Sequence, residues 1–228
     1  MFVWAMPMRR AFAALLAAPL LAQCAPAQAE NAVKLPAAAY DPAVKAKRAT
    51  AVLAGGCFWG VEGVFSHVRG VISVEAGYHG GSRATAKYEL THDGTSGHAE
   101  AVRIVYDPTR VSYGTLLRVL FSVVADPTLK NRQGPDAGPQ YRAAIVPMNA
   151  VQRQVAAAYL AQIGKGGYFK RPVIVPVETY KTFYPAESHH QNFMRLYPAN
   201  PYIVRWDAPK LAALKRLFPG LVRAAPAP

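Results

Sequence analysis

A short apolar run, Ala49 to Ala54, ends at two consecutive glycines and gives way at once to a helical stripe, and this junction restricts the fold more than any other feature. Residues 49–54 are apolar apart from Thr50 and read as a short buried strand. Val61, Val64, Phe65 and Val68 then recur at i, i+3, i+4 and i+7, the spacing of one helix face. The chain must leave a strand and enter a helix within Gly55-Gly56-Cys57, a sharp change of direction that glycine permits because it has no Cβ.

Further elements follow in an alternating order. Val71–Tyr78 reads as a strand, residues 80–97 as a glycine-rich loop, and His98–Tyr106 as a second clear strand closed by Asp107-Pro108. Ser112 suits the N-cap of a helix running through Val124 with Leu116, Leu120 and Val123 on one face. A polar loop over 126–139 leads to a strand at Tyr141–Val146. Asn149 then caps a helix carrying Val151, Val155, Tyr159 and Ile163, which Gly164 and Gly166-Gly167 end. Pro172–Val177 reads as another strand, and a last helix starts near Ala208. This order predicts an α+β fold: a two-layer α/β sandwich with a mixed sheet, helices packed on one face of it, and a ferredoxin-like β-α-β-β-α-β core with additions. A hydrophobic fraction of 52% is enough for the core of one domain, placed at residues 49–218. Residues 30–48, rich in Ala, Pro and Lys, read as a linker, and 219–228 as a disordered tail.

The first 29 residues read as a secretory signal peptide. Met8-Arg9-Arg10 is positive, Ala11 to Ala22 is apolar but too short to span a membrane, and Ala27-Gln28-Ala29 is an A-x-A cleavage site. Arg9-Arg10 only weakly resembles a twin-arginine signal, so the general secretory and twin-arginine routes both stay open. Leu21-Ala22-Gln23-Cys24 falls short of a lipoprotein box because Gln23 stands where a small residue is needed, so anchoring at Cys24 is the less favoured variant. Cleavage after Ala29 implies an exported, periplasmic or extracytoplasmic protein, and leaves Cys57 as its only cysteine. The formal charge of +13 comes from scattered residues such as Lys45, Arg69, Arg103 and Arg216. They are not striped with aromatics, which favours a solvated basic surface over a nucleic-acid site.

A thiol at a helix N-terminus feels the macrodipole and free backbone N–H groups, and both favour the thiolate. A buried structural cysteine is the commoner fate of a free thiol. Against it stand the flanking glycines and the two large aromatics Phe58 and Trp59, which suit a pocket wall. In the strand ending at Tyr106, alternation puts Glu100 on the face of Val102, Ile104 and Tyr106. An acid at the end of an apolar face is partly desolvated, so it can hold a proton near neutrality. The bland alternative is a rim carboxylate paired with an arginine.

These motifs resemble those of the A-type peptide methionine sulfoxide reductases. The resemblance is carried, in order, by GGCFWG at 55–60, GYHGG at 77–81, Tyr88-Glu89, GTSGHAE at 94–100, DPT at 126–128, NRQGPDAGPQYR at 131–142 and YPAESHHQNF at 184–193. Ala125, His189 and Ala143 depart from the family's common residues, and His189 affects one pocket edge. The resemblance implies reduction of the S epimer of methionine sulfoxide, free or in proteins, as a repair activity. Cys57 would attack the sulfoxide sulfur, and Glu100 would protonate its oxygen with help from Tyr88 and Tyr141. Phe58 and Trp59 would cage the substrate methyl group, Asp136 would orient the site, and His190 would hydrogen-bond nearby in a structural role. No bound cofactor and no metal are implied. The partners would be oxidised methionine in proteins or peptides and an external thiol reductant, which could be thioredoxin-like, glutaredoxin-like or a small thiol. The enzyme would be a monomer without nucleic-acid partners. A non-catalytic binder of oxidised-methionine peptides is the rival reading, but it would not need Cys57 and Glu100 together.

Overall fold

A computed structural model of the chain describes Met1 and residues 32–228, and the expected signal segment with Cys24 lies outside the described residues. Five strands form one sheet in the order β6-β1-β3-β2-β7. They are β1 (Ala49–Gly55), β2 (Val71–His79), β3 (Ala99–Tyr106), β6 (Ala143–Val146) and β7 (Phe183–Pro185). A separate small ribbon joins β4 (Arg132–Gln133) to β5 (Asp136–Ala137). The helices are α1 (Phe58–Ser66), α2 (Tyr88–His92), α3 (Tyr113–Val119), α4 (Ala150–Lys165), α5 (Phe193–Leu196) and α6 (Ala208–Leu217). The β-α-β-β-α-β core is present as β1-α1-β2-β3-α3-β6, with α4 and the C-terminal helices as additions.

Each strand pairing within the sheet is antiparallel, which corrects the expectation of a mixed sheet. The expected strand at Pro172–Val177 accounts for the difference. It pairs with β6 only through one parallel bridge, Ile145 to Val177. Pro172 and Pro176 have no N–H to give, so a longer ladder cannot form there.

Alternation along the strands sorts their side chains. Leu53, Val102, Ile104, Tyr78 and Ile145 face the helices, where they meet Val61, Val64 and Phe65 of α1, Leu116 and Leu117 of α3, and Val155 and Tyr159 of α4. The opposite face holds a smaller cluster built from Val52, Ala54, Ala101, Ala144 and Phe183. Both expected caps are made: Ser112 Oγ accepts Thr115 N–H at 3.2 Å, and Asn149 Oδ1 accepts Gln152 N–H at 2.9 Å. The α3 helix widens into a π-turn over Leu120–Val124.

Both end segments are docked. The expected linker lies along α3 and α4: Leu35 is fully buried, its N–H reaches Ser122 Oγ at 3.3 Å, and its carbonyl accepts Arg118 Nε at 2.7 Å. The expected disordered tail returns to α1 and β2, with Ala227 N–H on Ser66 O at 2.7 Å and Val74 N–H on Pro228 O at 3.1 Å. Single anchors such as Leu35 and Ala227 do this inside stretches whose Ala/Pro composition carries no periodic signal. Leu35→Ala is expected to cost ~2–5 kcal/mol, the usual range for a buried leucine. Urea unfolding measures it, and an unchanged midpoint would mean that residues 32–48 behave as a loose linker.

Candidate active site

The site forms where β1 ends. Gly56 takes φ +90, and a Cβ there would lie 2.7 Å from Gln133 Cβ, so only glycine can both turn and admit this side chain. Gln133 in turn fixes the 126–139 loop by accepting Asp126 N–H at 2.8 Å and donating to Asp126 O at 3.0 Å. Cys57 follows at the N-cap position of α1 and is buried, with 7% exposed.

Glu100 arrives from β3 on the helix-facing side, directly across from Tyr78 of β2. Its Oε2 accepts the backbone N–H of Phe58 at 2.9 Å, one residue beyond the thiol. Burial raises its carboxyl to about 8; the Phe58 N–H opposes this, and the charges of Asp136 and Asp207 add to it. The expected partly desolvated acid is therefore present, and no arginine pairs with it among the described residues. The Cys57 thiol is also pushed up, first by burial and then by the charges of Glu100 and Asp207. The Trp59 N–H and Lys210 act the other way but are outweighed. This corrects the expectation of a thiolate stabilised by the helix N-terminus, because desolvation exceeds the dipole. Burial thus favours the neutral form of both the thiol and the acid.

Tyr88 and Tyr141 meet at His92. The Tyr88 ring stacks on His92 with centroids 5.3 Å apart, and the Tyr141 hydroxyl lies 3.3 Å from His92 Nδ1. Both phenols are raised by burial and then by the charge of Glu100, Tyr88 to about 12, and Cys57 contributes to each. Glu187 braces this wall by accepting Tyr78 OH at 2.8 Å and Tyr88 N–H at 3.0 Å.

The two aromatics after the cysteine separate in role. Trp59 is half-buried, stacked on Phe193 at 3.8 Å and edge-on to Tyr202 at 5.8 Å, and its Nε1–H donates to His190 Nδ1 at 3.2 Å. That bond needs a neutral His190, consistent with burial holding its imidazole below the usual value. Phe58 is fully covered between Tyr78 and His190, so it backs the site where an open cage wall was expected. Asp136 accepts the Tyr202 hydroxyl, and burial raises its carboxyl. His189 is exposed at the edge, its ring 4.2 Å from that of His190.

Several residues here carry no sequence signal strong enough to find them. They are His92, Tyr202, Asp207 and Lys210, whereas Glu187 and Phe193 lie inside the 184–193 motif but had no role assigned to them. Asp207 and Lys210 do stand at i, i+3, a helical pairing distance, but nothing in the sequence marks them as buried. A cavity of about 370 Å³ bounded by Asp41, Val44, Tyr106, Tyr113 and Val155 shares no residue with this site.

A buried sulfur nucleophile with a proton-holding acid and phenols around it is a site for redox chemistry at sulfur. A family model described as peptide methionine sulfoxide reductase matches residues 49–218. The chain is 53% identical over 172 residues to peptide methionine sulfoxide reductase MsrA 2 of Mesorhizobium japonicum, covering 75% of this chain and 88% of that protein. It is 47% identical over 174 residues to the protein of the same name from Synechocystis sp., covering 76% and 81%. Among solved structures it resembles methionine sulfoxide reductase A of Corynebacterium diphtheriae, with TM-score 0.58 and 28% identity over 70% of this chain and 79% of that one. It also resembles reduced Mxr1 from Saccharomyces cerevisiae, with TM-score 0.58 and 27% identity over 71% and 92%. The chain belongs to the peptide methionine sulfoxide reductase family.

Gly60 tests the packing behind the site. A Cβ on it would lie 2.0 Å from Asp207 Oδ1. Gly60→Ala is expected to lose ~1–3 kcal/mol by overpacking, despite alanine's better helix propensity of ~0.5–1 kcal/mol. A thermal melt at or above the wild-type midpoint would show that Asp207 is not lodged there.

Proposed function

We propose that this protein reduces the S epimer of methionine sulfoxide to methionine, with Cys57 as the only catalytic cysteine. The observation that carries the reading is the bond from Phe58 N–H to Glu100 Oε2, which places a proton-holding acid beside the thiol. Sulfoxide sulfur is a poor electrophile until its oxygen is protonated. Glu100 supplies that proton while Cys57 Sγ attacks, and the carboxylate so formed takes up the thiol proton. Collapse transfers the oxygen to Cys57 and releases the thioether. One thiol and one sulfoxide become one sulfenic acid and one thioether, with no net proton drawn from solvent. Tyr88 and Tyr141 hydrogen-bond the sulfoxide oxygen, Trp59 covers the methyl group with Phe58 behind it, and Asp136 orients the substrate through Tyr202.

Cys57→Ser is expected to abolish single-turnover reduction, and measurable turnover would remove Cys57 from this role. Glu100→Gln is expected to slow sulfenic acid formation by roughly 10²–10⁴-fold. The acid works only when protonated, so the wild-type rate is expected to hold at neutral pH and fall as pH rises through about 8. Glu100→Gln should lack that alkaline limb; the same limb in both proteins would assign it to another group.

Recycling depends on a thiol from outside. Residues 58–228 contain no cysteine, and Cys24 belongs to the segment read as a cleaved signal. An external thiol therefore attacks the sulfenic acid to form a mixed disulfide and water, and a second thiol frees Cys57 as a disulfide leaves. In an exported protein the donor is a thioredoxin-like or glutaredoxin-like protein or a small thiol of that compartment. The basic n-region, apolar run and A-x-A site support export with cleavage after Ala29. Protein starting at Glu30, given excess methionine sulfoxide and no thiol, is expected to form one methionine per enzyme and a trappable Cys57 sulfenic acid. Several turnovers under those conditions would contradict the scheme.

A further inference from the structure

Asp207 ends a π-turn over Ile203–Asp207 that runs directly into α6. Here the fully buried side chain turns toward α1 and fills the space that Gly60 leaves open. Its Oδ1 accepts Lys210 Nζ at 3.0 Å, while its Oδ2 has no partner among the described residues. Packing alone does not call for such a pair, since an apolar pair of similar volume commonly does as well or better than a buried ion pair. A carboxylate kept incompletely satisfied beneath the helix turn that carries the thiol points to a role in the reaction.

We propose that the Asp207–Lys210 pair is a positioning device, which seats the first turn of α1 through Gly60 and holds a fixed negative charge beneath the helix turn that carries Cys57. This rests on the reading of Cys57 and Glu100 as the reacting pair. Cys57 is coupled electrostatically to Glu100 from β3, Tyr88 from α2, Tyr141 from the 131–142 segment, and Tyr202, Asp207 and Lys210 from the C-terminal segment. Asp207 faces Lys210, Asp136 and the thiol. The negative charge of Asp207 opposes ionisation of both Cys57 and Glu100, and it acts on the thiol more strongly than Lys210 does in the opposite sense. Asp207 thus retains the protons, while Lys210 keeps Asp207 charged and in place. Neither residue touches substrate in this account.

The test is the pH profile of Cys57 alkylation by iodoacetamide in the full chain, read by peptide mass mapping so that Cys24 is scored separately. Asp207→Asn is expected to move the Cys57 midpoint down by about one pH unit, the scale of a nearby charge, and Lys210→Met to move it down as well, because the buried carboxyl left without its partner takes up a proton. Lys210→Arg should return it toward wild type. If either single variant fails to fold, the double variant Asp207→Asn/Lys210→Met removes both charges together and is the one to measure. Its midpoint should lie below wild type, as in each single variant. Midpoints unchanged in the folded variants, or moved up by Asp207→Asn, would reduce the pair to a structural role. No sulfoxide is present in the assay, so the result stands whether or not methionine sulfoxide proves to be the substrate.

Discussion

The bond from Phe58 N–H to Glu100 Oε2 holds the site together. It satisfies one of the unpaired donors at the start of α1 with a side chain from β3, and so fixes a helix to a strand at the position of the thiol. It depends on register. Glu100 reaches α1 because β3 pairs with β2 such that Tyr78 lies opposite Glu100, with alternate residues facing the helices. A slip of one residue would turn Glu100 to the far face, among Ala54, Ala101 and Ala144. The tight core of Leu53, Val102, Ile104 and Phe65 therefore secures catalytic geometry as well as stability.

Burial then decides the protonation states. A helix N-terminus is commonly a place where thiols ionise, but Cys57 and Glu100 are both almost fully covered and both are pushed toward their neutral forms. Two groups favoured in their neutral forms on either side of the Phe58 N–H hold the one proton the reaction transfers and the one that catalyses it. A preformed thiolate would leave the carboxylic acid beside a negative charge and draw on its proton early. Asp207 reinforces the neutral state from beneath α1, and Lys210 makes that buried charge tolerable.

Much of this was legible in the sequence because it rests on local rules. The strand–glycine–helix junction, both N-caps and the alternation that faces Glu100 inward each depend on residues close together in the chain. Other features depend on what the chain meets after folding. Phe58 and Trp59 are adjacent and alike in hydrophobicity, yet one is sealed by Tyr78 and His190 while the other stays half-open against Phe193 and Tyr202. No spacing separates them. The Asp207–Lys210 pair looks like an ordinary solvated helix pair until Gly60 is seen to admit it. The strand expected at 172–177 is reduced to one bridge because its prolines have no N–H to give, and the linker and tail are docked by single residues in stretches without periodicity.

The neutral Glu100 carboxyl is the central claim, and infrared difference spectroscopy of wild type against Glu100→Gln observes it directly. A protonated-carboxyl C=O band at neutral pH, lost with a midpoint near 8, is the expected result. A carboxylate signature already complete at neutral pH, titrating near the ordinary glutamate value of about 4.3, would contradict the account.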